Sequence, residues 1–322
     1  MANKDNLSDK MLRLTLRLSH GRLSASVGDP QSLGSIVYEP YEMNNGISPA
    51  ANLREAFQRS ELLKSGYRRA LILNDAPVLI IPEEEYVAEE ADTLYRYTFR
   101  TGGSDEVVCR QLPALNGVAA FAMNKDLLMV IEDHFEDIRL TTLCEPVWTH
   151  LYKRNFMGSR QKLFAYFFGK QVCVFRFGQS RFKFCNTFDV PHEQDALYYL
   201  LFVWRQLGMS VEKDEFHLVG EVTEDGWLCS QLRQYLRRVV AVTPQADFRN
   251  IAMAKNPDIP YDLKAVYLDE EGWQGRRPIL QRKTYSMSSV AISILTNRQH
   301  STFSRAREAS RSNCFRVVAS GS

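Results

Sequence analysis

No two cysteines are spaced as CxxC. Cys109, Cys144, Cys173, Cys185, Cys229 and Cys314 are scattered, and so are the six histidines. That excludes a recognisable zinc motif or disulfide framework and predicts buried, reduced thiols. No apolar run approaches the roughly 18 residues that a membrane span needs. The opening MANKDNLSDK lacks the apolar core of a secretory leader. Net charge is nearly absent too: 40 Lys/Arg stand against 38 Asp/Glu, a formal +2, which argues for neither a nucleic-acid nor a membrane partner. These absences predict a cytoplasmic protein. What is present is a 322-residue chain that is 45% hydrophobic, enough for a packed core and for about two domains.

Residues 269–322 differ from the rest. They carry nine Lys/Arg against four Asp/Glu, a net of +5, and ten serines. Such a composition buries too little surface to offset the entropy of ordering, so a disordered basic tail is expected, with a flexible N-terminus over 1–9. The folded part is expected to end near Leu268.

The organisation between them is a duplication. Leu12, Leu14, Leu16 and Leu18 alternate with polar residues, as do Leu23, Ala25 and Val27 after His20-Gly21. Period two on both sides of a two-residue turn predicts half-buried hairpin strands with Leu18 opposite Leu23 and Leu16 opposite Ala25. A third strand follows near Ser35–Glu39. The pattern returns at Leu163–Phe168, turns at Gly169-Lys170 and runs back over Gln171–Phe177. A second two-residue turn at Gly178-Gln179 predicts Phe175 opposite Phe182 and Arg176 opposite Arg181. Each triplet leads to a helix, over Pro49–Leu63 with Ser48 as cap, and over His192–Leu207. A fourth strand follows each, at Ala70–Leu73 and Phe216–Val219. A further helix is then expected at Glu84–Tyr97, opening on Pro82-Glu83-Glu84-Glu85, and at Trp227–Leu236. Val118–Met123, a helix at Lys125–His134 and a strand at Ile138–Thr142 complete the first half, and Val239–Val242 closes the second. The fold class is α/β with mixed sheets, read as βββαβα twice, with lobes over 10–150 and 151–268.

Two tandem units of this kind resemble the actin-like ATPase superfamily, built of two ribonuclease H-like lobes. More closely, residues 8–268 resemble DUF3822, an uncharacterised family of Bacteroidetes, through LRLSHGRLSASV, VLIIPEEEY, LFAYFFGKQVCVFRFG and IPYDLKAVYL. The resemblance implies an actin-like fold and no established activity. The superfamily would place a nucleotide between the lobes, on glycine amides of each hairpin turn, with an Asp beside them for Mg²⁺ and a Gly-Gly stretch after the fourth strand of the second half. The corresponding residues here are Ser19, His20 and Gly21, Gly169 and Lys170, and Gly220. Glycine is kept in each turn; the Asp is replaced by Ser19 and Phe168, and Gly220 is followed by Glu221. No catalytic residue, metal or obligate cofactor is therefore expected. ATP or ADP bound without efficient hydrolysis is the alternative. A nuclease would need carboxylates on the first and fourth strands. Asp75 alone ends a fourth strand and is read as an Asx turn.

One further face invites a ligand. In the expected register Arg176 lies opposite Arg181 with Lys183 alongside, and like charges so placed are unfavourable without an anion or an acidic partner. RNA is the third reading, drawn from these residues and the basic tail. Tyr198, Tyr199 and Phe202 widen the apolar surface of their helix, which predicts burial on both sides or a subunit interface. His134, His150 and His217 read as structural or surface residues. The leading expectation is a degenerate actin-like protein that binds a protein partner or itself.

Overall fold

The computed structural model describes residues 12–28, 36–155, 160–178, 181–248 and 256–268. The expected flexible N-terminus and the tail from 269 lie outside these residues. The first half comprises β1 (Arg13–Ser19), β2 (Arg22–Gly28), β3 (Ile36–Glu42), α1 (Pro49–Arg59), α2 (Glu61–Lys64), β4 (Arg69–Asn74), β5 (Val78–Pro82), α3 (Ala88–Thr98), β6 (Asp105–Leu112), β7 (Gly117–Asn124), α4 (Lys125–His134), β8 (Asp137–Thr142) and α5 (Cys144–Asn155). The second comprises β9 (Lys162–Phe168), β10 (Gln171–Phe177), β11 (Phe182–Asp189), α6 (Glu193–Gln206), β12 (Glu215–Gly220), α7 (Trp227–Tyr235), β13 (Val239–Val242), α8 (Pro244–Asp247) and α9 (Tyr261–Leu268).

The duplication is borne out in the sheets. One has the order β3-β2-β1-β4-β8 and the other β11-β10-β9-β12-β13. In each, an antiparallel hairpin triplet is extended by two parallel strands. The first hairpin has the expected register, Leu18 with Leu23 and Leu16 with Ala25. These side chains join Leu53, Ala56, Val130 and Ile131 in a core between the first sheet and α1, α2 and α4. The matching core of the second sheet is covered by α6 and α7.

Three expectations are corrected. The helix near Glu84 is not the second helix of the first repeat. Glu83–Glu85 forms a short 3-10 turn, and α3 starts at Ala88 and packs on a small third sheet, β5-β7-β6. The repeat position belongs to α4, so β5 to β7 are an insertion. The Pro49–Leu63 helix is two helices, because Ser60 is extended (φ −76°, ψ 125°) and caps the second, its Oγ accepting from Leu63 N at 3.0 Å. The lobe boundary at 150 falls inside α5, which runs unbroken from Cys144 to Asn155.

The strands are also buried on both faces, not one. Thr15, Arg17, Ser24 and Ser26 are buried despite their polarity. A central core lies between the two large sheets, where α5 and α9 sit: Trp148, Leu151, Tyr261, Leu263 and Val266 pack with Leu71, Leu73, Phe164 and Phe175.

Candidate functional site

β1 and β4 run parallel with Leu18 beside Asn74, so the first hairpin turn and the residue after β4 meet at one end of the sheet. Asp75 N donates to Leu18 O at 3.0 Å. In return the backbone N–H of His20, in the turn, donates to Asp75 Oδ2 at 3.2 Å, and the exposed imidazole Nδ1 lies 3.6 Å from the same oxygen. Asp75 is therefore a carboxylate holding the hairpin tip, not an Asx turn. Burial pushes its pKa up, partly offset by the His20 amide and ring and by Arg17. Ser19 Oγ accepts from Arg17 Nη1 at 2.8 Å. Gly21 has φ +72°, with open space around it.

The second lobe repeats the arrangement. Glu221 N donates to Phe167 O at 3.2 Å, and Gly169 N donates to Glu221 Oε2 at 3.2 Å. Leu18, His20 and Asp75 thus correspond to Phe167, Gly169 and Glu221. Gly220 has φ +94°, and a Cβ there would lie 2.3 Å from Phe167 O and 2.9 Å from the Tyr166 ring. The glycine is accounted for by this close strand approach. Lys170 is exposed at the tip, its carbonyl accepting from Val190 N at 2.7 Å.

The consequence is electrostatic. An amide that could cradle a phosphate already donates to one of the chain's own carboxylates in each lobe. A phosphate arriving there would meet an occupied donor and a negative charge. Sequence reasoning treated Asp75 as local and passed over Glu221. The readable signal was an acid directly after the fourth strand in both copies.

Beneath the first turn, the lobes are joined by a buried ionic group. Arg17 Nε donates to Asp262 Oδ1 and Oδ2 at 3.0 and 2.9 Å, and Tyr166 Oη donates to Asp262 Oδ2 at 2.9 Å. The carboxylate is fully buried. Burial alone would lower the Arg17 pKa, but Asp262, Tyr166 and Asp75 together outweigh it and hold the guanidinium charged. β1, β9 and α9 meet in this contact.

The expected basic face takes a different form. A bulge with Lys183 as its extra residue puts Phe177 opposite Phe182 and Arg176 opposite Phe184, so Arg176 does not face Arg181. The slip also sends Phe182 to the central core against Trp148 (ring centroids 5.1 Å apart) and Phe184 to the helix side. Arg176 donates to Gln161, Arg181 pairs with Glu84 of the insertion at 3.0 Å, and Lys183 lies along Gly178. The histidines are held structurally. His134 stacks on Phe57, His150 pairs with Asp247 at 2.8 Å, and His217 with Glu215 at 3.1 Å. Among the described residues no cluster of three or more His, Cys, Asp or Glu could hold a metal, and no helix is long and apolar enough to cross a membrane.

Comparison with known proteins gives the fold a place. The profile of the family described as "Protein of unknown function (DUF3822)" matches residues 2–239. A solved protein of Bacteroides thetaiotaomicron VPI-5482, described as having an actin-like ATPase fold and unknown function, is 23% identical. It superposes with a TM-score of 0.70 over 82% of this chain and 98% of that one. A PilM–PilN type IV pilus biogenesis complex gives a TM-score of 0.52 at 10% identity, covering 80% of this chain and 96% of that one. The fold is thus of the actin-like ATPase type. No curated protein matches the sequence.

Proposed function

We propose a binding role for this chain, which belongs to the DUF3822 family of proteins of unknown function. It acts by holding another protein, or a second copy of itself, and not by hydrolysing a nucleotide. One observation carries the reading: Asp75 and Glu221 take the hairpin amides of both lobes, at 3.2 Å each. Anions fixed by the fold stand where an anionic ligand would need donors. The PilM–PilN complex, in which a protein of this fold is joined to a protein partner, lends support at the level of the fold.

The exposed Lys170 beside Gly169 favours a second reading, in which ATP or ADP binds without efficient turnover and serves as a conformational signal. A thermal-shift titration with ATP, ADP and GTP, with and without Mg²⁺, separates the two. The binding role expects an unchanged midpoint with every nucleotide. A saturable rise of several degrees with any of them would overturn it in favour of the switch. Light scattering over a concentration series then decides between self-association, seen as a mass above the monomer, and a separate partner.

A further inference from the structure

The break at Ser60 that divides α1 from α2 stands beside a cavity of about 80 Å³, bounded on its other side by the edge strand β3. The cavity lies on the helix side of the first sheet. Glu39 and Tyr41 of β3 pair with Ala25 and Leu23 of β2, whose side chains belong to the core under α1. Leu23, Ala25, Ala56 and Leu63 make an apolar floor, and all four are buried. At roughly 15 Å³ for each water-sized group, the space admits about five heavy atoms.

Charge on the wall of this cavity is unbalanced. Glu39 lines it and is half-buried. Its Oε2 accepts from the Ser60 hydroxyl at 2.7 Å and from Leu62 N at 3.2 Å. Among the described residues, Oε1 has no donor and no cationic side chain pairs with the carboxylate. Arg59 also lines the cavity, but it is engaged elsewhere. Its Nη2 lies 3.4 Å from Glu55 Oε2, the oxygen that accepts from Tyr41 Oη at 3.1 Å. A carboxylate drawn partly out of water without a counter-ion favours a cationic ligand. One free oxygen is too few for a divalent metal, which takes six or so. It suits the point charge of an ammonium better than a guanidinium fork, which needs two. The floor suits an aliphatic stem.

We propose that the cavity between β3 and the α1–α2 break binds a primary ammonium carried on a short aliphatic chain. The ammonium donates to Glu39 Oε1, and the chain lies along Leu23, Ala25, Ala56 and Leu63. The site is separate from the hairpin turns, so its test does not depend on the reading given above for them.

The experiment follows the backbone amides of the full chain by NMR while n-butylammonium chloride is titrated in, with sodium chloride at matched ionic strength as the blank. The Leu62 amide, which donates to Glu39, is the reporter. Its shift is expected to saturate with a dissociation constant on the order of a few millimolar, as suits a ligand of about five heavy atoms. E39Q keeps an acceptor for Ser60 and Leu62 but removes the charge, and is expected to bind at least about tenfold more weakly. 1-Butanol, of the same length without the charge, is expected to lose as much on the wild type. No saturating shift in the wild type, or equal affinity in E39Q, would overturn the site. Should E39Q fail to fold, 1-butanol decides: binding as tight as that of n-butylammonium would overturn it. A capped lysine, acetylated at its α-nitrogen and amidated at its carboxyl, then distinguishes the source. Binding equal to n-butylammonium assigns the site to a lysine side chain of a protein, and binding of n-butylammonium alone assigns it to a free amine.

Discussion

Single side chains here do work that their sequence neighbours do not announce. Asp75 lies in a stretch that reads as a turn, yet its carboxylate reaches across to the hairpin amide of His20. Its pKa is raised above 3.8 by burial, so the folded state holds this proton more tightly than the unfolded state does. The folded chain then binds more protons than the unfolded one between 3.8 and the raised value. This group's contribution therefore falls as pH rises through that window and is constant above it. Asn keeps an acceptor for the His20 amide and removes the charge. D75N is thus expected to melt above wild type at pH 7, with the gap closing as the pH falls through the raised value towards 3.8. Thermal melts of both proteins across that range check it. A gap of constant size, or one that widens in acid, would contradict the account. Asp75 and Glu221 were visible in the sequence as acids following matched strands. Their function as hairpin anchors was not, because the partners lie 55 and 52 residues away.

At the scale of elements, periodicity located most of the structure and failed where one residue changes phase. Leu12 to Val27 alternate cleanly, so the first hairpin and its register were legible. After Phe177 the alternation continues on both strands, and a bulge at Lys183 leaves no mark in a period-two pattern. β6 was missed because most of its residues are half-buried on both faces of a small sheet, which blurs the alternation that betrays a strand. The break at Ser60 was legible in principle, since serine before Glu61 is a cap signal. Ser60 has two tasks, accepting from Leu63 N and donating to Glu39 Oε2 at 2.7 Å on the neighbouring strand. Ser48 makes one cap contact in an exposed place, from Ala51 N at 3.2 Å. S60A is therefore expected to cost about 2 kcal/mol and S48A about 1 kcal/mol. Urea denaturation of the two variants measures both, and equal costs would show that the bond to Glu39 adds nothing.

For the whole molecule, what matters is how two similar lobes become one body. Each large sheet has a core on its helix side that its own repeat supplies. The central core is shared, and α9 is part of it although it comes last in the described chain. YDLKAVYL contains two charged residues, Asp262 and Lys264. Both are nevertheless buried, since Asp262 meets Arg17 and Tyr166 and Lys264 Nζ donates to Asn256 O at 2.8 Å. Tyr267 adds a bond from its hydroxyl to Ser26 Oγ at 2.9 Å, on the first sheet. A chain ending at Pro260 would uncover the sites of Tyr261, Leu263 and Val266, at about 1.5–3 kcal/mol for each such side chain. It would also leave Arg17 without its counter-charge, a further 3–5 kcal/mol or so. The sum, on the order of 10 kcal/mol, matches the entire stability of a typical domain. The chain ending at Pro260 is therefore expected to lose its near-UV circular dichroism and bind a hydrophobic dye at room temperature, while one ending at Leu268 keeps the full-length melting point. A cooperative melt of the shorter chain within a few degrees of full length would mean that the lobes hold together without α9, and that the Arg17–Asp262 contact adds little to their union.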